Sequence, residues 1–134
     1  MSSPTIDESS VFLLESISDG VGIFKIPGTQ YQLHLGVEDD LDDAVGARVR
    51  GRIHGQALRM HHSPAGGNFI EPLEGRPRIV QGTVLAVDPG AHEVVVDLVV
   101  PIRLAIPEDQ TTGSFATGDM VNFYMEPGAR FHRA

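Results

Sequence analysis

Residues 48–61, RVRGRIHGQALRMH, gather Arg48, Arg50, Arg52 and Arg59, four of the ten Lys and Arg residues in a chain of formal net charge −8. A guanidinium group is a planar fork of donors that matches carboxylate or phosphate oxygens two at a time. Arg48, Arg50 and Arg52 stand at every second residue, and alternate side chains of a strand point to one face. The chemistry on offer is recognition of an anion.

An antiparallel hairpin turning at His54-Gly55 would position these groups. It would set Arg52 opposite Ala57, Arg50 opposite Arg59 and Arg48 opposite His61, and directly opposed residues share a face. Val49, Gly51, Ile53, Leu58 and Met60 would then line a core. Arg48, Arg50, Arg52, Arg59 and His61 would form one wet, basic patch. Like charges placed directly opposite each other are destabilising, so the patch needs a counter-charge. Two sources stay open. The acidic run Glu38-Asp39-Asp40-Leu41-Asp42-Asp43 could screen it from within, or a partner could bind there: an acidic protein surface or a phosphate-bearing ligand.

Composition bounds the rest. With 134 residues and 41 % hydrophobic residues, a packed core is expected. Fifteen Gly and nine Pro suit many short strands joined by tight turns. The absence of cysteine excludes disulfides, thiolate zinc sites and cysteine nucleophiles and fits a cytoplasmic protein. No run approaches the roughly 18 apolar residues of a membrane span, so no membrane association is expected. A negative net charge and a sequence with no Trp and two Tyr weigh against nucleic acid as a partner. Residues 1–10 read as a polar, flexible tail.

The elements read as strands throughout. VFLLESI (11–17) ends at Asp19-Gly20, VGIFKI (21–26) at Pro27-Gly28, and YQLHL (31–35) alternates apolar and polar residues. Val37, Leu41 and Val45 would line one stripe of a short helix. IVQGTVLAV (79–87), HEVVVDLVV (92–100), IRLAI (102–106), DMVNFYM (119–125) and ARFH (129–132) repeat the plan. An offset of 71 sets Ile23 on Val94, Leu33 on Leu104 and Leu35 on Ile106. An offset of 72 then sets Gly46 on Gly118, Val49 on Val121 and Ala57 on Ala129. One misfit remains, with Lys25 falling on Val96. The fold expected is all-β, a tandem duplication of small five-stranded barrels of the oligonucleotide/oligosaccharide-binding (OB) type packed together. The units span 11–62 and 79–134, with a linker over 63–78 whose Phe69, Ile70 and Leu73 dock on the barrels.

Within residues 79–125, GTVLAVDPG (82–90), EVVVDL (93–98), RLAIP (103–107) and GDMV (118–121) resemble the TOBE, or molybdate-binding Mop-type, domains of transporter ATPases and molbindins. A molbindin also carries two such units in tandem. The resemblance implies a small OB-like barrel and an oxyanion pocket between subunits, lined by backbone amides and small hydroxyls. GRPR (75–78) stands where that family carries Ser-Ala-Arg-Asn.

Other candidates are fewer. Arg76 and Arg78, with Thr111, Thr112 and Ser114 of the TTGS loop, could meet a small anion. His54, His61 and His62 are the nearest approach to a metal set, but adjacent strand residues point to opposite faces, so no metal is expected. No P-loop or nucleophile elbow is legible, and no cofactor is implied. The sequence therefore points to a non-enzymatic binding module that docks an acidic or phosphate-bearing partner on the basic hairpin. A molbindin-type oxyanion binder and a single-stranded nucleic-acid binder are the alternatives. An exposed edge strand would favour a homodimer.

Overall fold

The computed structural model describes residues 7–134, and the turn chemistry of the sequence sets most of its hairpins. Strand β1 (Ser10–Ser18) reverses into β2 (Val21–Lys25) through Asp19 and Gly20, whose φ values of 53° and 76° are those of a two-residue hairpin turn. Strand β2 passes Gly28, at φ 79°, into β3 (Gln32–Val37). Strand β4 (Arg48–Gln56) is followed by three short strands, β5 (His61–His62), β6 (Phe69–Glu71) and β7 (Glu74–Gly75). The second half adds β8 (Ile79–Asp88), β9 (Glu93–Asp97), β10 (Pro101–Ala105), β11 (Met120–Tyr124) and β12 (Arg130–Arg133). The helical stripe expected near Val37–Val45 does not form. Val37 ends β3, Val45 is exposed, and only a 3-10 turn at Asp42–Ala44 remains, with Leu41 and Ala44 buried beneath it. A similar turn occupies Thr112–Ser114.

All twelve strands belong to one sheet. Part of it closes into a five-stranded barrel, β1–β2–β3–β12–β4 and back to β1. From β4 the sheet continues through β10, β9 and β8 to β11, and the bridge Ala57–Met125 brings the end of β11 back beside the end of β4. Strand β4 thus serves both regions: Arg48–Gly51 pair with β1, and Ile53–Gln56 pair with β10 in parallel. The C-terminal strand β12 crosses in the other sense, leaving β11 to insert between β3 and β4. The linker segment is also part of the sheet, with β6 pairing β8, β7 pairing β3 and Ile70 buried, while Leu73 is exposed.

The hairpin expected at 48–61 is therefore incorrect. Residues 48–56 run straight through His54-Gly55, and no turn occurs there. Gly55 serves close approach instead: a Cβ at that position would sit 2.6 Å from Cε of Met125. Gly51 does the same against β12, where a Cβ would lie 2.2 Å from the Phe131 ring.

Matching contacts recur in the two halves. Gly46 N donates to Leu14 O and Gly118 N to Val84 O, at 2.7 and 2.8 Å. Leu14 N donates to Ala47 O and Val84 N to Asp119 O. Pairing registers shift between Leu14 and Ser16 in one half and between Val84 and Ala86 in the other. These registers place Phe24 with Val96 and Lys25 with Asp97, because Leu14 pairs with Phe24 as Val84 pairs with Val96. The Lys25 misfit disappears: Lys25 is at the surface, 3.0 Å from Glu15. On the third strands Leu33 pairs with Phe24 as Ile102 pairs with Val96, so the expected matches of Leu33 with Leu104 and Leu35 with Ile106 do not hold.

Aromatic packing seats β12. Phe131 is 0 % exposed, stacks on Phe24 with centroids 4.4 Å apart, and meets Phe12 edge-on at 5.7 Å. Phe131→Ala should destabilise the protein by about 3–5 kcal/mol, read as a lower urea midpoint, because the cavity falls where three rings meet. Gly67→Ala, where a Cβ meets nothing within 4 Å, should leave the midpoint nearly unchanged.

Candidate functional site

Strict alternation along β4 buries Val49, Gly51 and Ile53 and leaves Arg48, Arg50 and Arg52 exposed on the opposite face. The neighbouring strands decide what stands beside them. Leu13 and Val11 of β1 lie opposite Arg48 and Arg50, and Lys25 of β2 lies opposite Leu13. On β12, His132 lies opposite Arg52, and Arg130 lies opposite His54. Arg103 of β10 flanks His54 on its other side. The like-charge opposition of Arg50 and Arg59 does not arise, since Val11 occupies the place assigned to Arg59.

Arg59 and His61 are not members of this face. Arg59 lies beyond the end of β4 and forms an ion pair with Asp109. Leu58, expected in the core, is 56 % exposed, whereas Met60 is buried with its backbone clamped by the Gln110 side chain at 2.8 Å on both sides. His61 lies on β5, paired beside Asn122 of β11, and His62 is 3.3 Å from Asp119. The residues expected to meet a small anion have local duties. The Thr111 hydroxyl accepts from Gly113 N at 3.0 Å, Thr112 is buried, and Ser114 N donates to Thr111 O. Arg76 and Arg78 are exposed, and Arg78 lines a cavity with Glu71, Pro72 and Ile79. Among the described residues no group of three or more His, Asp or Glu is placed to hold a metal ion.

The acidic run neutralises a different set of arginines from the one expected. Glu38 pairs with Arg130, Asp43 with Arg133 at 3.0 Å, and Asp39 accepts from Arg133 N. These acids thus clamp β12, and the hydrogen bond from Arg133 holds the Asp43 carboxyl below its ordinary pKa. Arg50 receives a lighter counter-charge from the segment before β1, donating to Ser9 Oγ at 3.2 Å with Asp7 at 4.0 Å. Among the described residues, Arg48 and Arg52 make no ion pair.

Among the arginines of this face Arg103 alone is mostly buried, and three carboxylates converge on it. Glu8 accepts from it in a two-pronged pair at 2.7 and 2.8 Å, and Asp88 and Glu93 lie at 2.8 and 3.0 Å. The hydrogen bonds raise the Arg103 pKa further and lower that of Glu8 against the opposing effect of burial. His54, against this cluster and in edge contact with His132 at 4.9 Å, is pushed below its usual value, chiefly by burial and then by His132.

Two hollows open at the ends of the arginine row. One, of about 520 Å³, is lined by Arg52, His54, His132, Arg133 and Ala134. The other, of about 350 Å³, is lined by Lys25, Arg48 and the Ile26–Thr29 turn. On β11, which pairs with β8 as β4 pairs with β1, Met120, Asn122 and Tyr124 take the outward positions. No cation stands among them, and β5 and β6 pair alongside on β11 and β8.

The Arg103–Glu8 pair carries a pH signature. The lowered Glu8 pKa adds stability that is complete above the unfolded value near 4.3 and is lost as pH falls through the folded value. Arg103→Met should lower the urea midpoint at neutral pH and flatten its decline between about pH 5 and pH 3. An unchanged acid decline would mean that Arg103 does not hold Glu8.

Comparison of the chain with protein-family models, with curated proteins and with solved structures found no match in any of the three.

Proposed function

We propose that this protein is a non-enzymatic interaction module that docks an acidic or phosphate-bearing partner on the outer face of β4. The observation that carries the reading is the row Arg48, Arg50, Arg52, displayed on one strand with Arg48 and Arg52 lacking an acidic partner among the described residues. Of the nearby acids, Glu38 and Asp43 are committed to β12 and Glu8 to Arg103, and Asp7 reaches only Arg50, at 4.0 Å. The corresponding strand β11 dispenses with arginine, so the barrel plan itself does not require the row.

We infer also that the two halves arose by tandem duplication of an OB-like unit. The paired glycine and backbone contacts at Gly46 and Gly118, and the matching register shifts in β1 and β8, support this. A duplicated scaffold frees one copy of a face to diverge, and the arginine row is the divergence.

Reversing charge at Arg48 and Arg52 together should abolish binding of a fluorescein-labelled oligoglutamate or phosphopeptide in an anisotropy titration. Binding by the unaltered protein should weaken steeply with added salt, since exposed charges are screened over about 8–10 Å. The melting temperature should move little, because both side chains are solvated. Retained binding, or collapse of the melt, overturns the reading. Molybdate, tungstate, sulfate and phosphate serve as small-anion controls and should produce no thermal shift.

A further inference from the structure

Resting on that docking face, we propose that its occupant is a short extended peptide segment carrying carboxylates at every second residue, laid along β4 with its end carboxylates in the two hollows flanking the arginine row. Alternate residues of a strand are about 7 Å apart, so Arg48 and Arg52 lie roughly 13 Å apart with Arg50 midway. An extended peptide projects its own side chains to one face with the same period. One carboxylate meets Lys25 and Arg48, the next Arg50, and the third the hollow formed by Arg52, His54, His132 and Arg133.

The structure already contains a fragment of such recognition. Asp7, whose carboxylate also accepts from Ser9 N at 2.9 Å and Ser9 Oγ at 2.6 Å, reaches Arg50 together with Ser9, while the intervening Glu8 reaches Arg103; an occupant's central carboxylate would replace this contact at Arg50. Alternate residues thus reach one arginine, and the residue between them reaches another.

The limits of the row argue against a longer polyanion. Glu15 stands at one end beside Lys25, and Asp39 and Asp43 stand at the other beside Arg133. A chain with a charge on every unit would run from the arginines into these acids at both ends. Strands β1, β4 and β12 offer no outward aromatic ring other than the imidazoles of His54 and His132, so bases would find little to stack on.

The test compares two labelled peptides of identical composition, one with Glu at alternate positions and one with its Glu residues contiguous, alongside single-stranded DNA and polyphosphate. The alternating peptide should bind several-fold more tightly than its isomer and than either polyanion. Arg48→Gln and Arg52→Gln should each weaken it roughly threefold to fivefold, in line with about 1 kcal/mol per exposed pair. Arg59→Gln, remote from the row, should not. Equal binding of the two isomers, or tighter binding of DNA or polyphosphate that still depends on Arg48 and Arg52, overturns this inference and leaves the docking face standing. Absence of binding by every probe at low salt overturns both.

Discussion

One strand belongs to two closed paths of hydrogen bonds, and the rest of the molecule is arranged around that fact. Strand β4 is nine residues long and unbroken, with its first half laid against β1 and its second half against β10. An uninterrupted strand cannot change the face on which its side chains emerge, so burying Val49, Gly51 and Ile53 forces Arg48, Arg50 and Arg52 outward in a line. Gly51 and Gly55 let neighbours approach where side chains would collide, which is how β12 and the end of β11 both reach this one strand. Core closure and the display of charge therefore have a single cause.

The charge distribution follows the same logic. A chain with an excess of acids still leaves basic groups uncovered, because its carboxylates are drawn to positions where they brace strands. Glu38, Asp39 and Asp43 meet β12 in exposed contacts, while Glu8, Asp88 and Glu93 surround the more buried Arg103 and tie the segment before β1 to the β8–β9–β10 region. Pairs drawn into partly dry surroundings fix geometry, whereas exposed pairs contribute little. Among the described residues, Arg48 and Arg52 are left exposed and without an ion pair.

Much of this was legible in the residues. The sequence pattern placed most of the main strands to within a residue or two, although the strand expected at 92–100 stops at Asp97 and the hairpin expected at 48–61 is a single strand over 48–56, and Asp19-Gly20 and Pro27-Gly28 marked turns. The outward direction of Arg48, Arg50 and Arg52 was legible too, because parity along a strand does not depend on its partner. Partner choice was not legible. His54-Gly55 carries an ordinary turn signal, and only the bulk of Met125 and Leu104 nearby shows that Gly55 is there for proximity. The error over Arg59 followed from the assumed turn. The destination of β12 was hidden because ARFH reads as a strand wherever it pairs. Arg103 could be placed outward between Ile102 and Leu104, yet Glu8 lies 95 residues away, and no local pattern joins them.

The crossing of β12 has a consequence for synthesis. The five-stranded barrel lacks one stave until residues 130–133 exist, although its other four strands are complete by residue 56. A nascent chain on the ribosome would hold Phe12 and Phe24 without the ring that seals them, and contacts this distant in sequence are slow to form. The barrel therefore closes only once β12 has reached β3 and β4, after every other described strand has been made.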